Sequence, residues 1–509
     1  MNENAVSIII PAQNEENTIS QLIQEVKKLD PLEIIVVVNG TTDGTALVAK
    51  QSGCTVVEFP HSLGNDVGRA VGAYHAKGDI LLFLDGDIPV LSEQLEPFLT
   101  GVKNGYHIAL NDLSWSARLP IRPHYTTVSK IVVNYMLRWN LNVNSLLAIP
   151  HAMSRVALEA IGWWNLADPI VAMAIAAEKK LSIGAPGSVD VIRHNRVRPV
   201  HLGTSENSPF PKATSRILGD HLAAIDYLIK TTDPRGGFTD GWRKRHFLEK
   251  YVPPKRRLRV KSSAIIPAGE ERETIAGVID SVRAAGVDEI IVVANGSDRE
   301  TIEKSIKAGA IVLPFAEPLG HNVARVIGAA HSTGEICLFV DGDFVILPEN
   351  LVPFIRAVDS GVDVALNDLQ SLLDIFHPID AISGVKYFLN MALKRPDLLN
   401  NSLTAVPHAM HHRVIDTIGY NSLMLPPLAQ VQSVLAGFRV EAVHYVDVVT
   451  PNRRREEHQL VNSRMPAFDR IFGDHVEAVN YLLSVTDSRG GFTDGGRDRA
   501  LLESMKRRT

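Results

Sequence analysis

Two short acidic motifs are the residues in this sequence with the clearest potential for chemistry. Asp85-Gly86-Asp87 follows the apolar run at 80–84, and Asp341-Gly342-Asp343 follows the apolar run at 336–340. Two carboxylates joined by a flexible glycine offer the oxygen ligands that hard divalent cations prefer. A cation held there would neutralise the charge on a departing nucleoside diphosphate, so the motifs predict a metal and diphosphate site. The alternative is a plain Asp-Gly turn between two elements.

The apolar runs before these motifs predict the elements that position them. A run of mainly apolar residues is typical of a strand buried on both faces, and 80–84 is such a run. The segments 6–10, interrupted by Ser7, and 33–38, which begins with Glu33, have the same character. Amphipathic helical segments separate these runs, which favours a parallel α/β sheet covered on both sides. Ligands bind at the carboxyl edge of such sheets, where the Asp-Gly-Asp motifs would lie.

Length and composition exclude several classes of protein. The chain has 509 residues, 45% of them apolar and 21% charged, with a net charge of −5, which gives no reason to expect a nucleic-acid partner. No apolar run approaches the ~20 residues of a transmembrane helix. The polar residues 1–4 do not resemble a signal peptide, and the two cysteines, Cys54 and Cys337, do not suggest a disulfide framework. We therefore expect a cytoplasmic protein without a transmembrane segment.

The second half of the sequence repeats the first. The two acidic motifs are 256 residues apart (341 − 85), and the opening strand, an Asn-Gly turn, and an Arg-Gly-Gly-Phe-Thr-Asp-Gly segment recur in the same order. The period is too long for a solenoid and indicates duplication of a whole domain. We predict a first domain at 1–252, a solvated linker at 253–261 and a second domain at 262–509. Two such domains can pack about a pseudo-two-fold axis.

Four segments of the first half, taken in order, resemble the family-2-type glycosyltransferases of GT-A fold. They are IIIPAQNEENTI, VVNGTTDGT, the helix start from Gly64 to Arg69, and GDILLFLDGD. A later segment, VDVIRHNR, is weakly similar to the glucosyl-3-phosphoglycerate synthase branch. The resemblance implies two tandem GT-A-like domains, Rossmann-like with mostly parallel sheets, and a metal-dependent glycosyltransferase.

The resemblance also implies roles for individual residues. Pro11, Ala12 and Glu15 would line a nucleoside pocket, Asn39 would face the base, and Arg69 would meet the diphosphate. The corresponding nucleotide-binding residues of the second half are Pro267, Ala268, Glu271, Asn295, Arg325 and Asp341. The predicted ligands of Mn²⁺ or Mg²⁺ are Asp85, Asp87, His194, Asp341 and Asp343, and Asp85 would also contact the donor ribose. Plain structural roles remain as alternatives, such as a helix-terminal Glu15, a surface ion pair at Arg69 and a strand-end His194.

The halves differ at two positions that bear on catalysis. Asp168 lies where inverting members of the family often keep a general base, whereas the second half has Leu425 there. His194, expected after a strand at 189–192, corresponds to Pro451. We therefore predict Asp168 and Asp87 as catalytic residues and the first half as the better-equipped catalyst. Asp168 could instead only begin the helix after Pro169.

The sequence thus predicts transfer of a sugar from a UDP- or GDP-linked donor to an acceptor that is a small molecule, a glycan or a lipid-linked group. One alternative is a scaffold or regulatory protein that binds nucleotide sugars without turnover. Another is a nucleotidyltransferase, but this needs a glycine-rich, lysine-bearing phosphate loop after the first strand. The sequence Pro11-Ala12-Gln13-Asn14 does not provide such a loop.

Overall fold

Two seven-stranded sheets organise the chain, one in each half. The computed structural model describes residues 4–193, 203, 208–252, 254, 257–450 and 466–508. The strands of the first sheet are β1 Val6–Ala12, β2 Glu33–Asn39, β3 Thr55–Phe59, β4 Ile80–Phe83, β5 Ile108–Asn111, β6 His151–Ser154 and β7 Ile183–Gly187. Those of the second are β8 Val260–Ala268, β9 Glu289–Asn295, β10 Ile311–Phe315, β11 Gly334–Phe339, β12 Val364–Asn367, β13 His408–His411 and β14 Val440–His444.

The helices alternate with these strands as the apolar patterning predicts. In chain order they are α1 Ile19–Lys27, α2 Thr45–Gln51, α3 Val67–His75, α4 Ser92–Lys103, α5 Tyr125–Met136, α6 Arg155–Ile161, α7 Pro169–Glu178, α8 Lys212–Thr231, α9 Arg245–Lys250, α10 Ile275–Ala284, α11 Arg299–Lys307, α12 Val323–His331, α13 Pro348–Asp359, α14 Ala381–Ala392, α15 His412–Ile418, α16 Pro426–Leu435, α17 Pro466–Ser484 and α18 Arg499–Lys506. Within the described part of the chain, no helix is long and apolar enough to cross a membrane.

Both sheets have the same strand order, which is 3-2-1-4-6-5-7 within each half. β1, β2, β3 and β4 are mutually parallel, and β6 is antiparallel to its neighbours β4 and β5. The register pairs Ile9 with Ile35 on one side and with Phe83 on the other. The prediction of two α/β domains with mostly parallel sheets is therefore confirmed.

Helices cover both faces of each sheet because the strands are apolar on both faces. In the first half, Ile8 and Ile10 share a core with Ile19 and Leu22 of α1. The intervening residue Ile9 points to the opposite face, where α3 packs closely against it at Gly72. Burial of both faces fixes α1 and α3 around the carboxyl end of β1, where the predicted site begins.

The chain forms two compact units whose boundaries differ from the predicted ones at 252 and 262. Unit 1 consists of Met1–Thr231, His377–Ala381 and Thr486–Thr509, and unit 2 of Thr232–Phe376 and Ile382–Val485. The Arg-Gly-Gly segment that closes the first sequence half thus belongs to unit 2, and the one that closes the second half belongs to unit 1. Ion pairs contribute to this arrangement. Arg497 pairs with the buried Asp220 on α8 of unit 1, and Arg243 pairs with the buried Asp474 on α17 of unit 2.

Candidate functional site

A pocket opens at the carboxyl edge of the unit 1 sheet, with a cavity volume of about 330 Å³. It lies where β1 and β4 end, because neighbouring parallel strands bring their carboxyl ends to one edge. Predicted and unpredicted residues both line it. Its lining comprises Pro11, Ala12, Gln13, Glu15, Gly64, Asn65, Asp66, Arg69, Asp85, Gly86, Asp87, Ile88, Leu147, Ala148, Ile149, Val191 and Arg216.

An ion pair at the centre of this pocket joins α3 to the end of β4. The Arg69 guanidinium donates from one nitrogen to both oxygens of Asp85, at 3.1 and 3.2 Å, and its other terminal nitrogen lies 3.0 Å from Asp66. Burial alone would lower the pKa of Arg69, but the charges of Asp85 and Asp66 outweigh it and raise that pKa. The pocket therefore presents a cation fixed in place by two carboxylates.

The loop after β1 is tied to the acidic motif by a threonine. Thr18 Oγ1 donates to the carbonyl of Gly86 at 2.8 Å and lies 3.2 Å from Glu15 Oε2. The backbone N–H of Glu15 donates to Thr45 Oγ1 at 2.8 Å, and Glu15 is 6% exposed. These bonds hold Glu15 beside the Asp-Gly-Asp turn, and its place in a nucleoside pocket stays a prediction.

The side chain of Asn39 hydrogen-bonds to the backbone, and its predicted place facing a base stays a prediction. Its Oδ1 accepts from the Leu63 N–H at 3.2 Å, and its Nδ2 donates to the Ala12 carbonyl at 3.4 Å. Among the described residues it is not part of the pocket lining. The amide braces the backbone on either side of the pocket, so these contacts do not support an amide aimed at a base.

The equivalent pocket of unit 2 has a cavity volume of about 560 Å³. Arg325 Nη2 donates to Asp341 at 2.9 Å, and Thr274 Oγ1 donates to the Gly342 carbonyl at 2.6 Å, which repeats the arrangement in unit 1. All of the site residues predicted for this half line it. The lining comprises Gly241, Pro267, Ala268, Gly269, Glu271, Asn295, Gly320, His321, Asn322, Ala324, Arg325, Asp341, Gly342, Asp343, Thr404, Ala467, Arg470 and Ile471.

A buried histidine supports the central ion pair in each unit. His151 stacks on Phe83 with ring centroids 4.9 Å apart, and its Nδ1 lies 2.9 Å from the Ala148 carbonyl. Burial, and then the charge of Arg69, lower the pKa of His151 to about 3. His408 has the same surroundings in unit 2, and burial and Arg325 lower its pKa to about 3. Both rings are therefore neutral at pH 7 and serve as packing with one polar contact.

The structure places Asp168 among arginines of the C-terminal segment. Both of its oxygens accept hydrogen bonds from Arg499, one of them at 2.7 Å, and Arg497 lies 3.5 Å away. Among the described residues Asp168 is not part of the pocket lining. Asp168 therefore forms ion pairs with arginines of the same unit. Its role as a general base stays a prediction.

The predicted strand at 189–192 is wrong. The strand that pairs with β5 is β7, Ile183–Gly187, and residues 189–193 form a turn in which Asp190 Oδ1 accepts from the backbone of Ile192 and Arg193. The apolar residues at 189–192 misled the prediction because two of them, Val189 and Val191, pack on the core from an irregular segment. His194 itself lies outside the described residues.

Sequence reasoning missed one arginine in each pocket. Arg216 on α8 lines the unit 1 pocket, and its Nη1 lies 3.1 Å from Asp66 and 3.3 Å from Asp220. Arg470 on α17 lines the unit 2 pocket. A signal was available, because the pattern Arg-Ile-x-Gly-Asp-His occurs at 216–221 and again at 470–475. An amphipathic helix pattern alone does not show that one polar position faces a cavity.

The donor set of each pocket fits a divalent cation that is bound together with a phosphate ligand. Asp85 and Asp87, and Asp341 and Asp343, each place two carboxylates on one pocket. Within the described ranges, no cluster of three or more His, Cys, Asp or Glu side chains could hold a metal ion by itself. Mg²⁺ is typically bound by one or two carboxylates with substrate phosphates and water, so two carboxylates suffice.

Comparison with known proteins identifies these two regions. The family model for glycosyl transferase family 2 matches residues 7–115 and 263–371. These segments contain β1 to β5 of the first sheet and β8 to β12 of the second, including both acidic motifs. The predicted resemblance is therefore confirmed in each half.

Curated relatives match a short part of the chain. The 4,4'-diaponeurosporenoate glycosyltransferases of Staphylococcus aureus strains MRSA252 and USA300 are each 36% identical over 96 residues, which is 18% of this chain and 26% of theirs. The chain thus spans about a quarter of the length of these relatives.

Among solved structures, glucosyl-3-phosphoglycerate synthase from Mycobacterium tuberculosis in complex with UDP aligns at 20% identity and a TM-score of 0.33. The alignment covers 43% of this chain and 80% of that one. The complex of the same enzyme with Mn²⁺, UDP-glucose and phosphoglyceric acid aligns at 19% identity and a TM-score of 0.34. A likeness of this size assigns no ligand to this chain.

Proposed function

The chain carries a glycosyl transferase family 2 segment in each half, and on this premise we propose that it is a metal-dependent glycosyltransferase. It moves a sugar from a nucleotide-sugar donor, linked to UDP or GDP, to an acceptor. The observation that carries the proposal is the convergence, in both units, of two acidic side chains and a buried arginine at the carboxyl edge of a parallel sheet.

Different pocket residues would bind different parts of the donor. Asp87 and Asp85 would hold Mn²⁺ or Mg²⁺, and the bound ion would supply charge neutralisation for the departing diphosphate. The Arg69 guanidinium, which is held by Asp85 and Asp66, would place a fixed positive charge against the phosphate oxygens. Pro11, Ala12 and Glu15 would line the nucleoside end. Arg325, Asp341 and Asp343 take the same roles in unit 2.

The prediction that the first half is the better catalyst depends on Asp168 and His194. The structure gives Asp168 arginine partners outside the pocket lining, and His194 lies beyond the described residues. The proposal therefore rests on the features that the two units share, and it treats each unit as a candidate donor site.

Calorimetric titration of UDP and GDP, with and without Mn²⁺ or Mg²⁺, tests the donor site. Asp87→Ala and Asp343→Ala should each remove the metal-dependent part of binding at one site, and the double variant should remove it at both. Asp280→Ala, which removes a carboxylate that is 71% exposed on α10, is the matched control and should bind as wild type does. Full metal dependence in the double variant would contradict the assignment.

Turnover separates the enzyme from the alternative of a binding scaffold. Hydrolysis of a bound nucleotide sugar, or its transfer to an added acceptor, should require the divalent cation and be lost in the double Asp87→Ala, Asp343→Ala variant. Metal-dependent binding without any release of nucleoside diphosphate would instead support a scaffold or regulatory protein.

A further inference from the structure

The two pockets differ at the pair of residues that precede the central helix. Unit 1 has Asn65-Asp66 before α3, and unit 2 has His321-Asn322 before α12. All four residues line their pockets. Asp66 and Asn322 both adopt left-handed backbone, with φ of 66° and 62°, so they occupy the same place in the fold. The difference between them is one negative charge.

In unit 1 this negative charge, on Asp66, lies close to three arginines. The Asp66 carboxylate, 8% exposed, lies 3.0 Å from Arg69, 3.1 Å from Arg216 and 3.3 Å from Arg497. Among the described residues, Arg69 and Arg216 are the arginines that line the pocket. An anionic ligand must therefore compete with Asp66 for these two arginines.

In unit 2 the same position carries no charge. Asn322 offers an amide, whose Nδ2 donates to the Met424 carbonyl at 3.4 Å. Among the described lining residues, unit 2 has three carboxylates with two arginines, whereas unit 1 has four carboxylates with two arginines. His321 adds an imidazole where unit 1 has the neutral Asn65. The missing carboxylate makes the unit 2 pocket more favourable for an anion, and its cavity is larger, about 560 against 330 Å³.

We propose that unit 2 is the tighter site for a phosphate-bearing ligand, and that the residue at 66 in unit 1 and at 322 in unit 2 sets the difference in affinity. The proposal deepens the glycosyltransferase assignment and rests on it for the identity of the ligand. The shared chemistry is a phosphate group at the start of the central helix. Its source is the diphosphate of the donor or the phosphate of a phosphorylated acceptor.

The backbone conformation at these two positions permits the exchange. Asp66→Asn and Asn322→Asp each introduce the residue that the other unit already holds in left-handed backbone, and Asn and Asp are the non-glycine residues most tolerant of it. Asp30→Asn is the matched control. Asp30 is an exposed residue of unit 1, also left-handed with φ of 49°, in the loop before β2 at the opposite edge of the sheet.

Calorimetry on the full chain with UDP and Mn²⁺ is the first arm of the test. We expect two classes of site in the wild type. Asn322→Asp should weaken the tight class on the order of tenfold, and Asp66→Asn should tighten the weak class by a similar factor, as expected for one charge near a half-buried ligand. Asp30→Asn should change neither. Thermal unfolding should show that all three variants are folded.

Inorganic pyrophosphate and inorganic phosphate, titrated in the same way, identify the source of the phosphate. A response to UDP and pyrophosphate assigns the site to the donor diphosphate, and a response to inorganic phosphate alone assigns it to an acceptor phosphate. Absence of UDP binding with a normal pyrophosphate response would overturn the proposed function and leave this inference standing. Equal affinities in the wild type, or variants that leave both classes unchanged, would overturn the inference.

Discussion

In unit 1 and unit 2, equivalent arginines form ion pairs with carboxylates from different elements. In unit 1, Arg499 pairs with Asp168 at the start of α7. In unit 2, its counterpart Arg245 donates to Glu477 on α17 at 2.7 and 2.8 Å. Where unit 2 has Leu425 in place of Asp168, unit 1 has Ala223 in place of Glu477. The arginine keeps a partner in both units, so the loss of an acid at 425 is explained by structure without reference to catalysis.

The buried part of this network is the same in both units. Arg497 makes a two-pronged contact with Asp220 at 2.8 and 2.9 Å, and Arg243 does so with Asp474 at 2.6 Å for both bonds. Neither guanidinium is exposed. The comparison therefore separates a fixed core, shared by the units, from two places where they diverge: the acid that faces Arg499 or Arg245, and the residue at 66 or 322.

The largest loss of unfolding free energy should come from breaking the buried ion pairs that both units share. Asp220→Ala leaves Arg497 buried without its main counter-charge, which typically costs about 3–5 kcal/mol of unfolding free energy. Asp474→Ala should cost a similar amount in unit 2. Asp226→Ala, on the same helix as Asp220, breaks the pair with Lys230, whose side chain is 68% exposed, and should cost ~1 kcal/mol or less. Urea denaturation measures all three, and a loss for Asp220→Ala no larger than that of Asp226→Ala would contradict this account.

Moving the carboxylate that faces Arg499 to another element of unit 1 tests the first of these two differences. Asp168→Leu should cost about 1–2 kcal/mol of unfolding free energy, since its partner Arg499 is 43% exposed and the pair is partly screened. Adding Ala223→Glu should restore part of that loss, because it supplies the acid in the place that unit 2 uses. Turnover distinguishes the alternative: a general base would give a loss of about 10²–10⁴-fold that Ala223→Glu does not rescue.

Acid should weaken both units through matching buried histidines. Burial lowers the pKa of His151 and His408 to about 3, and that of His221 and His475 to about 4. The unfolded chain, with histidine pKa values of about 6.5, binds more protons below that pH. Stability is therefore fully present above pH 6.5 and falls as the pH drops towards 4, by up to about 1.4 kcal/mol per pH unit for each histidine.

One variant in unit 2 checks this dependence. His475→Leu should flatten the loss of unfolding free energy between pH 6.5 and 4 by the contribution of one proton, as measured by urea denaturation at several pH values. His246→Leu, which replaces an exposed histidine of α9, is the control and should leave the slope unchanged. An unchanged slope in His475→Leu would show that the buried ring does not control acid stability.

A comparison within unit 1 concerns two adjacent glycines of the C-terminal segment 486–509. Gly495 and Gly496 both have left-handed φ, 72° and 70°, so alanine at either costs roughly 1–2 kcal/mol of backbone strain. A methyl group at 495 would also collide with Cδ of Arg216, whereas nothing lies within 4 Å of one at 496. Gly495→Ala should therefore weaken UDP binding to unit 1 as well as stability, and Gly496→Ala should affect stability alone. Equal UDP affinities in the two variants would show that Arg216 does not contact the ligand.

The central strands of each sheet, and the pocket residues that follow them, could be predicted from the sequence. Apolar runs at 6–10 and 80–84 favour buried central strands, and the residues that follow them, Glu15 and Asp85, are then expected at one edge of the sheet. The repeat at 256 residues predicted a second pocket, and each of its seven predicted residues lines it. These inferences are local, because a strand and the few residues after it share one position in space.

The distant residues that complete each unit became apparent only from the fold. The final segment 486–509 belongs to unit 1, and its arginines reach Asp66, Asp168 and Asp220, contacts that span more than 270 positions in the chain. The periodicity of apolar residues does not indicate such ion pairs, because an ion pair requires only that two opposite charges lie close together, whichever elements carry them. For the same reason, the sequence did not indicate that Arg216 and Arg470 line the pockets. An amphipathic helix has the same sequence pattern whether one polar position faces a pocket or solvent.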